Sequence, residues 1–297
     1  MADQPTTAPE LAVVRAAVAP MHVEPRVSST QTSQLLAGHP ILVHESRGDW
    51  LRASAIDGYA AWVHRGYVVF PDAADGSYVQ AAAGPADAPW HPAGATVLRE
   101  ARNARSATLS LGCTVRDARG AERALPLGAL VEDAAAAGIP RERVVGGATV
   151  ALAERAGRFP SAGEAVAASA ARLYAGASYL WGGVTPWGAD CSGFVQTLFR
   201  LHGVELPRDA WQQALAGTPA PAGIADLAPA DLLFFSDRDD GRITHVGVAL
   251  GASRMAHVSL GRGGFGVEQL DDAHDPYVAR LLAQWRGARR VTAASGG

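Results

Sequence analysis

The alternation of apolar and polar positions changes character near residue 150. Before it, apolar runs are short. Between residues 38 and 70 they read HPILVHES, RGDW, LRASA, DGY and AAWVHRGYVVF, broken by Gly and Asp turns. Such spacing predicts the strands of a small β-barrel. A second set of strands is predicted at TVLREA, ATLSLGCTVRDA and RALPLGALV, with the Pro- and Ala-rich AAAGPADAPWHPAG (81–94) as the connector between the two sets. After residue 150 the period lengthens. Ser161 followed by Glu164 makes a capping-box pattern ahead of GEAVAASAARLYAG, which predicts a helix with Val166, Ala170, Leu173 and Tyr174 on one face. Phe194, Val195, Leu198 and Phe199 give a second helix an apolar stripe at i, i+1, i+4 and i+5. A Pro-rich stretch follows, then strands at DLLFFS, ITHVGVAL, RMAHVSL and FGVEQL. The expected fold class is α+β: two small β-barrels at 8–75 and 76–150, the second more degenerate, and a helix-then-sheet domain at 151–297.

Composition removes several function classes. Hydrophobic residues make up 48% and charged residues 19% of the 297, which fits packed globular domains and not a disordered chain. The formal net charge is −3 with no basic run, so neither a nucleic-acid nor a membrane partner is expected. No apolar stretch reaches the ~18–20 residues needed to span a bilayer. The opening MADQPTTAPELAVVRAAVAP has neither a basic segment nor a long apolar one. A secretory signal is therefore not expected, and the cytoplasm is the expected location. Cys113 and Cys191 alone cannot make a disulfide framework and suit a reducing compartment. Cys113, inside ATLSLGCTV, reads as a small core residue.

Cys191 is the candidate nucleophile. It stands where a Gly-rich loop gives way to the second helix, and the partial positive charge of a helix N-terminus favours thiolate. A cysteine nucleophile needs a base and a group that orients the base. In ITHVGVAL, Val246, Val248 and Leu250 face a core, which leaves His245 on the opposite face toward the cysteine helix. His257, in RMAHVSL, lies on a neighbouring strand and can meet His245 through a ring nitrogen. His22, His39, His44, His64, His91, His202 and His274 lack such a context and read as structural or solvated. No pair of them has close ligand spacing on one element, so neither metal nor cofactor is expected. Asp271, Asp272 and Asp275 read as a solvated turn, lacking the Gly and terminal Glu of a calcium loop.

Taken together, YLWGG, DCSGF, LPRDAWQQ, THVGV and AHVS resemble the NlpC family of papain-like cysteine peptidases that act on cell-wall peptides. The resemblance covers roughly residues 160 to 290. GDWLR followed by DGYAAWV resembles the bacterial Src-homology-3-like barrels that commonly precede such domains. The layout is similar to γ-D-glutamyl-L-diamino acid endopeptidases of the dipeptidyl-peptidase VI type. These cut the bond between γ-D-Glu and a diamino acid in murein peptides with a free N-terminal L-Ala. The resemblance implies Cys191 as nucleophile, His245 as base and His257 as the orienting residue. It implies Tyr179 as an oxyanion donor beside the backbone N–H of Cys191, and Asp190 and Ser192 as the lining of the L-Ala and D-Glu subsite. It further implies Glu24, Tyr59 and Asp209 as groups that close a pocket around the substrate ammonium. Ala210 departs from the family's usual Ser after that Asp. The implied partner is a murein peptide, with a monomer compatible with the chain. Two other readings stay open: an amidase or acyltransferase using the same Cys-His pair, and a non-catalytic module binding wall fragments. The sequence does not choose between lysine and diaminopimelate after D-Glu.

Overall fold

The computed structural model describes residues 9–70, 96, 98, 99, 102, 107–132, 141–272 and 274–292. The chain divides into two compact units, Met1–Ala153 and Glu154–Gly297.

The first unit opens with seven strands: β1 (Glu10–Val14), β2 (Val18–His22), β3 (Gln31–Leu36), β4 (Pro40–Arg47), β5 (Trp50–Ser54), β6 (Ala60–His64) and β7 (Val68–Val69). They form one sheet in the order β3-β2-β6-β5-β4-β1-β7. Their alternate residues turn inward, so Ala12, Val14, Met21, Ile41, Val43, Leu51, Ala53 and Val63 make a single core. The run AAWVHRGYVVF is two strands, not one. A 3₁₀ turn at Arg65–Tyr67 separates them, capped where Gly66 N–H donates to His64 Nδ1 at 3.1 Å.

The second set is β8 (Ala107–Arg116), β9 (Glu122–Leu125), β10 (Leu130–Glu132) and β11 (Arg143–Ala151), with β8 pairing all three others. Cys113 is a free, buried thiol on β8. Among the contacts that tie the sets together, Leu130 N–H donates to Ala37 O at 2.8 Å, His39 Nε2 lies 2.8 Å from Gly128 O, and Arg123 donates to Arg15 O. One expected strand is absent. Residues 96, 98, 99 and 102 of TVLREAR are helical, and Leu98 packs fully buried against Leu42 and Ile56. Leu, Arg, Glu and Ala are good helix formers and outweigh the Thr-Val pair that suggested a strand. The expected connector at 81–94 lies outside the described residues.

The second unit holds five helices among the described residues: α1 (Arg155–Arg158), α2 (Gly163–Ala170), α3 (Cys191–Leu201), α4 (Ala210–Gln213) and α5 (Pro276–Ala283). The expected capping box at Ser161 is not formed. Helix α2 starts two residues later, Ala162 is its N-cap without a side-chain bond, and the helix ends at Ala170. The strands are β12 (Val184–Thr185), β13 (Gly188–Ala189), β14 (Thr218–Pro219), β15 (Leu232–Phe235), β16 (His245–Gly251), β17 (Arg254–Ser259), β18 (Gly264–Gln269) and β19 (Trp285–Arg290). Six of them build an antiparallel sheet in the order β14-β19-β15-β16-β17-β18.

Helix α3 is the hub. Phe194, Val195, Leu198 and Phe199 are each completely buried, worth roughly 1.5–3 kcal/mol apiece in transfer free energy. Both faces of β16 are packed. Val246 and Val248 are fully buried on one face, and Ala249 packs with Phe235, Met255 and Leu281 on the other. His245, the first residue of the strand, is half-buried at its end.

Candidate active site

The site is assembled where the start of α3 meets the start of β16. Asp190 is the N-cap of α3 and accepts from Gly193 N–H at 2.7 Å, which satisfies one of the helix's unpaired donors. Its other partners are Gly182 N–H at 2.8 Å, Ser192 Oγ at 3.3 Å, and Arg208 through Nη1 at 3.0 Å and Nη2 at 2.7 Å. Arg208 is 1% exposed in its side chain and Asp190 8%, so this is a buried, forked ion pair. Arg208 Nη1 also donates to Ser192 Oγ at 2.9 Å. Gln213 closes the arrangement from α4, donating to Ser192 O at 3.1 Å and Pro207 O at 2.8 Å. The Gly of DCSGF is required by a close approach: a Cβ on Gly193 would collide with the carbonyl oxygen of Gly183.

Cys191 is thereby fixed in the first turn of α3. Its thiol lies 4.0 Å from Thr244 O and takes backbone N–H contacts from Val246 and Ser192. The sulfur thus touches the chain on both sides of His245. The surroundings of Cys191 oppose the expected thiolate. Burial pushes the Cys191 thiol up to about 12, and the charge of Asp190 adds to it. The N–H groups of Val246 and Ser192 and the charge of Arg208 oppose the shift without overcoming it. The helix N-terminus is already occupied by the Asp190 carboxylate, which offsets the partial positive charge that a cysteine there would otherwise feel.

His245 Nε2 lies 2.8 Å from His257 Nδ1, with ring centroids 5.0 Å apart. Burial pushes His245 down to about 3, so it rests as a neutral imidazole able to accept a proton. His257 is completely buried, and its Nε2 is 3.2 Å from Glu268 Oε1. Arg262 grips the same carboxylate, Nε to Oε1 at 2.9 Å and Nη2 to Oε2 at 2.7 Å, and also contacts Asp275.

Of the other candidates, Tyr179 is half-buried beside the cysteine loop. Its N–H donates to Gly263 O at 3.0 Å, and its phenol is raised chiefly by burial, with the Asp190 carboxylate adding to it. Ser192 is buried between Asp190 and Arg208. Asp209 is the N-cap of α4, and its backbone N–H donates to Gln212 Oε1 at 3.3 Å. Glu24 and Tyr59 belong to the first unit. Glu24 is exposed and pairs with Arg26 Nε at 2.6 Å, while Tyr59 packs on the barrel core. Among the described residues no three His, Cys, Asp or Glu side chains gather as a metal set.

The sequence reading missed Arg208, Gln213, Arg262 and Glu268. Arg208 and Gln213 lie inside LPRDAWQQ and differ from their neighbours in nothing local. Glu268 had a faint signal, being the lone carboxylate in the strand FGVEQL.

Comparison with known proteins places this geometry. Residues 176–284, which contain the whole Cys191–Glu268 line, match the NlpC/P60 family. The chain carries an NlpC/P60 domain. Residues 17–69 ahead of it match the Bacterial SH3 domain. The chain is 44% identical over 86 residues to the Gamma-D-glutamyl-L-lysine dipeptidyl-peptidase of Bacillus subtilis (strain 168), covering 29% of this chain and 28% of that protein. It is 28% identical over 274 residues to the Dipeptidyl-peptidase 6 of Lysinibacillus sphaericus, covering 90% and 94%. The chain spans about a quarter of the length of the first curated relatives it matches. In three dimensions it shares the fold of an NlpC/P60 family protein from Bacillus cereus ATCC 10987. The TM-score is 0.68 at 17% identity, over 96% of this chain and 100% of that one. The NlpC/P60 domain therefore supplies a cysteine-centred site, and the barrel ahead of it is of bacterial SH3 type.

Proposed function

We propose that the protein is a cysteine peptidase hydrolysing the γ-D-glutamyl bond to a diamino acid in murein peptides with a free N-terminal L-Ala. We place this activity in cytoplasmic recycling of cell-wall peptides. The observation that carries the reading is the Cys191 thiol held against Thr244 O and Val246 N–H, on either side of His245, together with the 2.8 Å contact from His245 Nε2 to His257 Nδ1. Its support for this substrate comes from relatives named as γ-D-glutamyl-L-lysine dipeptidyl-peptidase and Dipeptidyl-peptidase 6.

In this reading the thiol and the imidazole rest neutral, and the proton moves as the bond forms. Sγ of Cys191 attacks the γ-carbonyl carbon while His245 takes the thiol proton. The carbonyl oxygen becomes an oxyanion that the Cys191 backbone N–H and the Tyr179 hydroxyl stabilise. Collapse breaks the C–N bond, His245 returns its proton to the leaving amine, and a thioester remains on Cys191. A water, deprotonated by His245, then hydrolyses the thioester and frees the L-Ala-D-Glu carboxylate. The resemblance assigns Asp209 to the substrate ammonium.

The test is incubation of the full chain with L-Ala-γ-D-Glu-diaminopimelate and its lysine counterpart, read by mass spectrometry. Release of L-Ala-D-Glu by wild type and not by Cys191→Ala is expected, from the free-amine peptide only. Equal cleavage of the N-acetylated peptide would remove the ammonium subsite from the reading. Faster transfer of the acyl group to an added amine than to water would favour an acyltransferase.

A further inference from the structure

The chain of buried hydrogen bonds does not stop at His257. A neutral imidazole has one donor and one acceptor nitrogen, and nothing in a His-His pair decides which is which. The direction has to be imposed from one end. Here the far end is a carboxylate, which only accepts. Glu268 is 5% exposed in its side chain, and both of its oxygens lie on the edge of the Arg262 guanidinium. Burial opposes ionisation of Glu268, but hydrogen bonds from His257 and Arg262 outweigh it and hold the carboxyl down to about 2.

With an ionised acceptor at Glu268, His257 must carry its hydrogen on Nε2 and present a lone pair at Nδ1. His245 must then donate from Nε2 across the 2.8 Å contact, which leaves Nδ1 of His245 with the lone pair that can take the thiol proton. The opposite order would set a lone pair of His257 against the carboxylate. We propose that Glu268, locked by Arg262, is the positioning residue that sets proton order through His257 and His245 and supplies the counter-charge when His245 becomes protonated. The inference rests on Cys191 and His245 being the reacting pair.

The surroundings are built for this bond. His257 and Gly266 are cross-strand partners, and Glu268 lies on the same face two residues along. A Cβ on Gly266 would sit 3.2 Å from Glu268 Oε1 and 3.7 Å from His257 Nε2, so bare backbone leaves the room. The other groups that face Glu268 are already engaged. Tyr277 of α5 donates to Ser259 Oγ at 2.8 Å and lies under the Arg262 guanidinium at 4.2 Å, and Asp275 accepts from Arg262.

The experiment is alkylation of the full chain by iodoacetamide from pH 4 to 9, read at the Cys191 peptide by mass spectrometry so that Cys113 does not interfere. It is paired with ¹⁵N NMR of the histidine rings. Glu268→Gln is expected to slow alkylation at pH 7 by roughly 10–100-fold, the scale found when a metal-ligating histidine loses its outer hydrogen-bond partner. The same variant is expected to convert single His257 and His245 tautomers into mixtures, and Glu268→Asp to restore part of the rate. Unchanged tautomers and a superimposable pH profile in a folded Glu268→Gln would overturn the proposal. Should that variant fail to fold, Arg262→Gln gives an independent arm, because Arg262 is 35% exposed in its side chain. Freed from its guanidinium, Glu268 should then add a protonation step to the acid limb of the alkylation profile, and absence of that step refutes the assignment. Iodoacetamide needs no peptide substrate. Slowed alkylation in Glu268→Gln alongside an uncleaved murein peptide would therefore retire the proposed substrate and keep this inference.

Discussion

Replacing Arg208 with Met tests how the cysteine helix is held. The guanidinium contributes bonds of 3.0 and 2.7 Å to Asp190 and one of 2.9 Å to Ser192, with both charged side chains nearly out of solvent. Breaking a buried pair by removing one partner costs about 3–5 kcal/mol, because the remaining charge stays desolvated. The unit concerned runs from Glu154 to Gly297. A domain of that size loses roughly 2–4 °C of Tm per kcal/mol, so a loss of about 4 kcal/mol lowers its transition by roughly 8–16 °C. Calorimetry of the full chain reads this directly. Asp190→Asn with Arg208→Met should recover part of the loss, since it removes the unpaired buried charge, although Gly182 and Gly193 N–H donate to different oxygens of Asp190 and the single amide oxygen can serve only one of them. The single variant should also alkylate more slowly at Cys191, because Arg208 is one of the charges that hold the thiol down. A melting temperature within about 3 °C of wild type would show that Asp190 does not need its partner, and the account of the helix start would fail.

Three further outcomes are expected. Tyr179→Phe should lower kcat by about 10²–10³, the cost of one oxyanion donor, with iodoacetamide reactivity of Cys191 unchanged; a parallel fall in both would make Tyr179 a packing residue instead. Stability should depend on His245 in acid: its folded value is lowered to about 3 from 6.5, so the unfolded state binds the proton first and stability falls between pH 6.5 and 3, by at most about 1.4 kcal/mol per pH unit. Cys191, raised from 9.0 to about 12, adds a loss of stability as pH rises through that interval. Urea midpoints of wild type and His245→Gln should diverge across the acid window, and a constant difference would contradict the direction given for His245. Gly193→Ala should prevent folding of the second unit or cost several kcal/mol, since the added methyl meets the Gly183 carbonyl; near-native urea stability would refute that close approach.

Local periodicity determined much of this molecule before any contact was known. Period-2 runs in the first half became β4, β5 and β6, and the i, i+1, i+4, i+5 stripe became the buried face of α3. The order loop-Cys, strand-His, strand-His placed the chemistry in the second unit, because those signals need only a few neighbouring residues. Tertiary structure decided the rest. Residues 96, 98, 99 and 102 are helical where a strand was expected, with Leu98 covered by Leu42 and Ile56, residues far away in sequence. The expected thiolate of Cys191 is opposed because desolvation and the neighbouring Asp190 carboxylate outweigh the pull of a helix end, and burial cannot be read from one segment. Asp190 and Arg208 are 18 residues apart, and His257 and Glu268 are 11 apart on adjacent strands. A lone charged residue in a motif or strand carries no mark of its partner. Only the folded chain supplies the low-dielectric space in which such a pair is formed and its charge is held.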